Sequence, residues 1–389
     1  MKPLINDFGW DRASVSLAMS IYSLTHGIMQ PISGMLVDRF GPKRVVSLSL
    51  VVTGLGLMAT SMVSQLWQIY LFYGVFTAMG FGGSTMVSLS ALVARWFVKR
   101  RGLAISLVAA GLSAGQFVIL PITMALILSQ GWRQTYLLMG GFFLAVVVPV
   151  TLILMKDSPA QVGSLPYGYG ESGASGRRGA TATEGKTTTL REAMATRPFW
   201  LLALGYFVCG FTITMLQTHL VPFATDIGID EMVAANALGL MGAFSAVGSI
   251  VMGFACDRWG RKNPLAATYF LRGMSLLILL GARSEVGLYL VAIVGGLSYI
   301  ATVPPTSALV ADIYGQRSMG VLLGMISLSH QIGSATGVYL GGVVFDATGS
   351  YSWPFSLAFL AAMVATAASY LIREPARAAA PPVKETAPV

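Results

Sequence analysis

The sequence predicts an all-α protein embedded in a membrane, and three observations carry that expectation. Of its 389 residues, 55% are hydrophobic and only 11% charged, with mean hydropathy +0.70; soluble domains carry about a quarter charged residues. Apolar runs of roughly 18 residues or more, long enough to cross a bilayer, recur along the whole chain. Basic residues gather in the short connectors between those runs. In lipid only helices and closed barrels satisfy their own backbone, and runs of this length are helices.

In chain order the spans are 13–37, 45–64, 67–94, 101–128, 132–155, 198–224, 232–256, 263–282, 287–311, 318–344 and 351–372. The long polar interruption, 156–197, contains GYGESGASGRRGATATEGKTTT and reads as a flexible linker. The ending, 373–389, has the composition of a disordered tail. With 38–44, 95–101, 156–197, 257–262, 312–317 and 373–389 on one side, that side holds 20 of the 25 Lys and Arg. Lys2, Arg12, Arg133 and Arg283 fall opposite, and Arg272 alone lies within a span. The rich side is cytoplasmic by the positive-inside rule, which puts the C-terminus inside. The net charge of +9 is therefore topogenic, and no nucleic-acid partner is expected. Cys209 and Cys256 both fall in apolar spans, as small core residues rather than a disulfide or metal site. No metal or cofactor is expected.

The chain repeats itself. GMLVDRFGPKRV (34–45) returns as GFACDRWGRKNP (253–264), with Asp38 and Asp257 219 residues apart. SALVAR (90–95) returns as SALVAD (307–312) at an offset of 217. Parallel halves joined by a linker are a transporter architecture. The domain expectation is a bundle over 1–155, the linker, a second bundle over 198–372 and the tail. The second half has six spans and the first five. Shifting 198–224 back by 219 puts its counterpart before residue 6, so a first helix is expected upstream of Met1, through truncation or a late start.

GMLVDRFGPKR and GFACDRWGRK resemble the signature loops of the major facilitator superfamily, in which the spans here would be helices 2 to 12. The resemblance implies two pseudo-symmetric helical bundles with helix 1 missing. It also implies that Asp38 and Asp257 face basic partners of their own half in a latch that alternates with transport state. Gly34, Arg39, Arg44, Gly253, Arg258 and Arg261 belong to the same gating motif. An acid at a helix C-terminus faces the unfavourable end of the dipole and needs cationic company; a purely topogenic charge cluster is the plainer alternative. DFGWDRASVSLAMS, VARWFVKRRGLAISLVAAG and ADIYGQRSMGVLLGMISLSHQIGSATGVYLGGVVFDATGSY resemble the bacterial monocarboxylate and oxalate/formate branch, which moves small organic anions. One departure stands out. Where that branch often has a substrate-pairing Arg, eight residues before the motif acid, this chain has Ser249.

Candidate binding residues are polar groups inside spans. Arg272, in TYFLRGMSLL, lies near mid-membrane, where an ionisable group is costly unless paired or hydrated. It is a candidate for a carboxylate or for a gate; hydrogen bonding to backbone carbonyls is the structural alternative. His330 and Gln331 interrupt SLSHQIGS, where the repeat would place Ala114 opposite His330. A histidine there can bind an anion or relay protons, or simply join two helices. His26, Tyr22, Tyr73, Gln116, Gln217 and Tyr299 complete the candidates, each open to a reading as an interhelical hydrogen bonder. His219 falls towards the outer mouth, and Pro304-Pro305 break the ninth span. GLSAG (111–115) matches the hydrolase elbow but lies inside an apolar helix, as a small-residue packing face. None of the sixteen Asp and Glu lies mid-span, so the usual proton carrier is absent.

The expected function is secondary transport of a small, monocarboxylate-like anion by alternating access, with protons as a candidate coupled partner. A monomer in the bacterial inner membrane is expected, and not an enzyme. One alternative is efflux of amphipathic compounds, though SLVAAGLSAGQFVILPI lacks the antiporter Gly-Pro pair. The other is a non-transporting sensor, for which no segment supplies an output domain.

Overall fold

The computed structural model describes residues 2–97, 101–168, 188–315 and 319–374. Helices occupy all eleven expected ranges. A short α1 (Lys2–Phe8) precedes α2 (Arg12–Phe40) and α3 (Pro42–Ser61). The next rod is built from α4 (Leu66–Ile69), a π-helix (Tyr70–Thr77), α5 (Ala78–Gly83) and α6 (Met86–Trp96). Then α7 (Arg101–Phe142) turns at Gly131, whose φ of 80° divides it into two spans, the second continuing through α8 (Val148–Leu154). The second half comprises α9 (Leu190–Met194), α10 (Arg197–Asp226), α11 (Glu231–Trp259), α12 (Lys262–Gly281), α13 (Glu285–Tyr299), α14 (Val303–Tyr314), α15 (Met319–Thr348) and α16 (Ser352–Tyr370).

Among the described residues, seven helical stretches are long and apolar enough to cross a membrane by length and composition. One of them contains the turn at Gly131. Helix ends follow local chemistry. The Asp11 carboxylate accepts from the Ser14 N–H at 2.5 Å, Asp230 from Met232 at 2.8 Å, and the Ser284 hydroxyl from Gly287 at 3.3 Å. Each such cap satisfies a donor that the first turn leaves orphaned, worth about 1 kcal/mol.

The repeat extends to the closing residue of each half. Both signature connectors turn on a glycine at φ 85°, Gly41 and Gly260. Beyond α8, Asp157 accepts from the Lys43 N–H at 2.7 Å; beyond α16, Glu374 accepts from the Arg261 N–H at 2.8 Å and also from that of Lys262. These two carboxylates are 217 residues apart (374 − 157), the offset of the SALVA echo, and each anchors the helix start that follows its own half's connector.

One expectation needs correction. Gly111 and Gly115 make no packing face, since a Cβ at either would meet open space. The contact there belongs to Ser113 between them, 3.0 Å from Ser245 of α11. Cys209 is a free, buried core residue as expected, and its thiol also joins a polar cluster.

Candidate functional site

The halves meet along two seams, α2 against α15 and α7 against α11. On the first, the Ser20 hydroxyl donates to the Ala335 carbonyl at 2.7 Å, and a Cβ at Gly27 would sit 2.6 Å from Gln331 Cγ. Only glycine allows that approach. On the second, Gln116 Nε2 donates to the Leu238 carbonyl at 3.3 Å. Towards the connector end Leu107, Phe254 and Val321 are exposed, and a Cβ at Gly253 or Gly324 would meet nothing within 4 Å.

At the opposite end the halves are sealed by charge. Arg12, at the start of α2, pairs with Asp226 at the end of α10 at 2.7 Å. Its guanidinium also donates to the Tyr351 hydroxyl at 2.7 Å and lies 3.6 Å from the Phe345 ring centroid. Lys2 reaches the same Asp226 at 2.7 Å. Asp346 of α15 accepts from the N–H groups of Arg12 and Ala13, at 3.2 and 2.6 Å, and so caps a helix of the other half. Behind the seal His219 is fully buried, with ring nitrogens 3.2 Å from Tyr351 Oη and 2.9 Å from the Val338 carbonyl. Sequence reasoning missed Arg12, Asp226, Asp346 and Tyr351. Their one visible signal was a lone cation just ahead of an apolar span.

Where the first seam reaches mid-membrane, polar candidates converge. His26 Nδ1 lies 3.4 Å from Gln331 Nε2 of the other half and 3.4 Å from Gln30 Nε2. His26 stacks on Tyr22 at 6.0 Å, and Tyr22 on Tyr73 at 5.2 Å. His330, next to Gln331, presents its ring edge-on to Tyr206 at 6.0 Å, with Nδ1 3.5 Å from the Ser334 hydroxyl. A second pair stands nearby, in which Gln217 of α10 donates to the Tyr299 hydroxyl at the end of α13.

Gln217 lines two cavities. One, of ≈ 270 Å³, includes Tyr73 and Tyr136; the other, of ≈ 730 Å³, includes Gln116, Phe81 and Phe142. Arg272 is 3% exposed and donates to the carbonyls of Ser298 and Tyr299, the latter at 3.0 Å, and to Cys209 Sγ at 3.0 Å. It lines neither of these two cavities and has the partners of the structural alternative.

The motif acids Asp38 and Asp257 have side chains outside the described residues. Around them, Gly34 is half-buried within α2, and Arg39 lies 5.2 Å from the Phe40 ring centroid. Arg44 and Arg258 are exposed. Arg261 pairs with Asp312 at 3.3 Å and donates to the Cys256 carbonyl at 2.7 Å, while Arg95 reaches the Val37 carbonyl at 3.4 Å. These bonds stay within one half.

A profile described as Major Facilitator Superfamily matches residues 1–230 and again 202–389. The chain belongs to the Major Facilitator Superfamily. This superfamily member is a membrane transporter and not an enzyme. It is 27% identical over 367 residues to the uncharacterized MFS-type transporter YcxA of Bacillus subtilis, covering 90% of this chain and 84% of the relative. It is 24% identical over 371 residues to monocarboxylate transporter 12-B of Danio rerio (90% and 77%). It is 25% identical over 352 residues to monocarboxylate transporter 13 of Rattus norvegicus (89% and 77%). Among solved structures, a bacterial homolog of the human lysosomal transporter Spinster, in an inward-facing and unoccupied conformation, superposes with TM-score 0.71. That match has 17% identity and covers 95% of this chain and 91% of the other, which establishes the superfamily's fold here.

Proposed function

We propose that this transporter moves a small organic anion of the monocarboxylate class by alternating access between the bundles 1–155 and 198–372. The observation that carries the reading is electrostatic. The membrane interior holds Arg272, His26 and His330, and not one Asp or Glu lies mid-span. An anion is the cargo that such an interior stabilises, since an unpaired cation in lipid is costly. The relatives named monocarboxylate transporters agree with that class.

In this reading His26, Gln331 and His330 receive the anion at the seam, with Tyr73, Gln116, Gln217 and Tyr299 lining its path and Arg272 supplying positive potential from behind. The connector end, rich in Lys and Arg, faces the cytoplasm of a bacterial inner membrane. Asp38, Asp257 and the basic residues of both connectors form the inner latch, and the Arg12–Asp226 seal is the outer one. Protons are the coupled partner, carried by His330, and the monomer is the working unit.

The test is a thermal-stability screen of the purified full chain against lactate, pyruvate and oxalate at two pH values, with lactamide as the neutral control. Stabilisation by the carboxylates alone is expected. Stabilisation by lactamide to the same degree refutes the anion reading. The ≈ 730 Å³ cavity, lined largely by Phe, Ile, Leu and Met, favours a second reading, efflux of an amphipathic compound. A rise in Tm with amphipathic dyes and none with carboxylates selects it.

A further inference from the structure

The described hydrogen-bond partners of Arg272 are two backbone carbonyls and a thiol, with the Tyr269 ring centroid 5.7 Å away, and their location gives it a role. Both carbonyls sit at the break between α13 and α14. In a continuous helix the Tyr299 carbonyl would accept from the Val303 N–H. Here that N–H turns back to the Ile300 carbonyl at 3.0 Å, and Pro304 and Pro305 bring no donors of their own. Arg272 Nη2 takes the place of the missing donors at Ser298 and Tyr299. Its Nη1 donates to Cys209 Sγ of α10, and that sulfur lies 3.4 Å from the Thr302 hydroxyl inside the break. One guanidinium thus ties α10 and α12 to the end of α13 and, through the Cys209 sulfur, to Thr302 inside the discontinuity. Tyr299, the last residue of α13, carries the hydroxyl that Gln217 holds at the cavity wall.

We propose that Arg272 is a positioning residue: its guanidinium supplies the donors that the chain lacks at the α13–α14 break, and so fixes Tyr299 against Gln217. The break is a hinge, and Arg272 sets its stiffness without touching the cargo. A planar fork with five donors reaches two successive carbonyls and a third partner at once, which a lysine ammonium on its flexible stem does less well. The cation also sits at the C-terminal end of α13, the favourable end of its dipole. The inference rests on the transport reading only for what the hinge serves; the clamp is measurable without any substrate.

Backbone hydrogen exchange on peptides covering 298–306 is compared for the full chain in lipid nanodiscs, as wild type, Arg272→Lys and Arg272→Met. Loss of local protection is expected at the break, about tenfold faster exchange in Arg272→Met and about threefold in Arg272→Lys, with peptides over 285–296 unchanged. Unchanged exchange at 298–306 in a folded Arg272→Met protein overturns the clamp. Where that variant does not fold, unchanged exchange in Arg272→Lys does so. A second arm measures radiolabelled lactate counterflow in proteoliposomes. Positioning predicts that Arg272→Lys lowers kcat and leaves KM within about twofold, whereas a KM raised about tenfold at constant kcat marks direct substrate contact and overturns the assignment. A wild type without lactate counterflow counts against the anion reading alone, and the exchange arm still upholds or overturns the clamp.

Discussion

Arg12 shows how much one side chain can hold when its partners come from the opposite half. Its guanidinium meets a carboxylate, a phenol and an aromatic face at once, while its own N–H is capped by Asp346. The Arg12–Asp226 pair is partly exposed, at 12% and 27% of its side chains, so screening discounts it to about 1 kcal/mol at most. Asp226→Asn should shift the sealed-to-open ratio at that end by roughly fivefold towards open, read as faster thiol labelling of a cysteine placed at Ala13. Unchanged labelling would show that Asp346 and Tyr351 suffice without the ion pair. His330 makes a separate claim. His330→Gln should abolish pH-driven accumulation and spare exchange, and accumulation that survives would remove it as the proton carrier. The sequence marked His330 because a polar ring interrupts an apolar span. It could not mark Arg12 as a seal, because all of Arg12's partners lie far along the chain and nothing local distinguishes it.

At the level of elements, lipid made the fold legible. A backbone that can satisfy itself only as helix leaves few alternatives once the apolar runs are delimited, and all eleven ranges are helical. What stayed hidden was irregularity inside the rods. The third predicted span is four helical pieces, with a π-helical stretch at Tyr70–Thr77 that carries Tyr73, and no periodicity announces a register change of one residue. The α13–α14 break was legible through Pro304-Pro305, but the side chain that fills it, Arg272, was legible only as a costly charge. The α2–α15 seam depends on Gly27, against which Gln331 packs. Gly27→Leu should force that seam apart or unfold it, costing about 1–3 kcal/mol of stability by overpacking. The check is the melting temperature of the purified variant, and an unchanged value would show that the helices can slide past the added side chain.

On the scale of the molecule, the distribution of bonds is uneven from end to end. The described bonds between halves run from the seams' midpoints to the Arg12 seal, whereas those of the connector end stay within a half. Among the described residues, bonds between the halves thus reach the polar cluster of His26 and Gln331 and none is seen at the connector end. Two spin labels at the connector ends of α3 and α12 should therefore report a distance that shortens when Asp226→Asn releases the opposite end. A distance that does not respond would separate the two ends mechanically.

The mirrored carboxylates, Asp157 and Glu374, bear on how such a protein can be made. Each half carries its own fastener, placed at its last residues and closing on its own connector. By the time residue 157 leaves the ribosome, everything needed to lock the leading connector has already been synthesised. Among the described residues, that lock draws on none of the second half. The gene could accordingly be cut in two between 169 and 187, and the two polypeptides, expressed together, should find each other in the membrane and regain thermal stability close to that of the single chain.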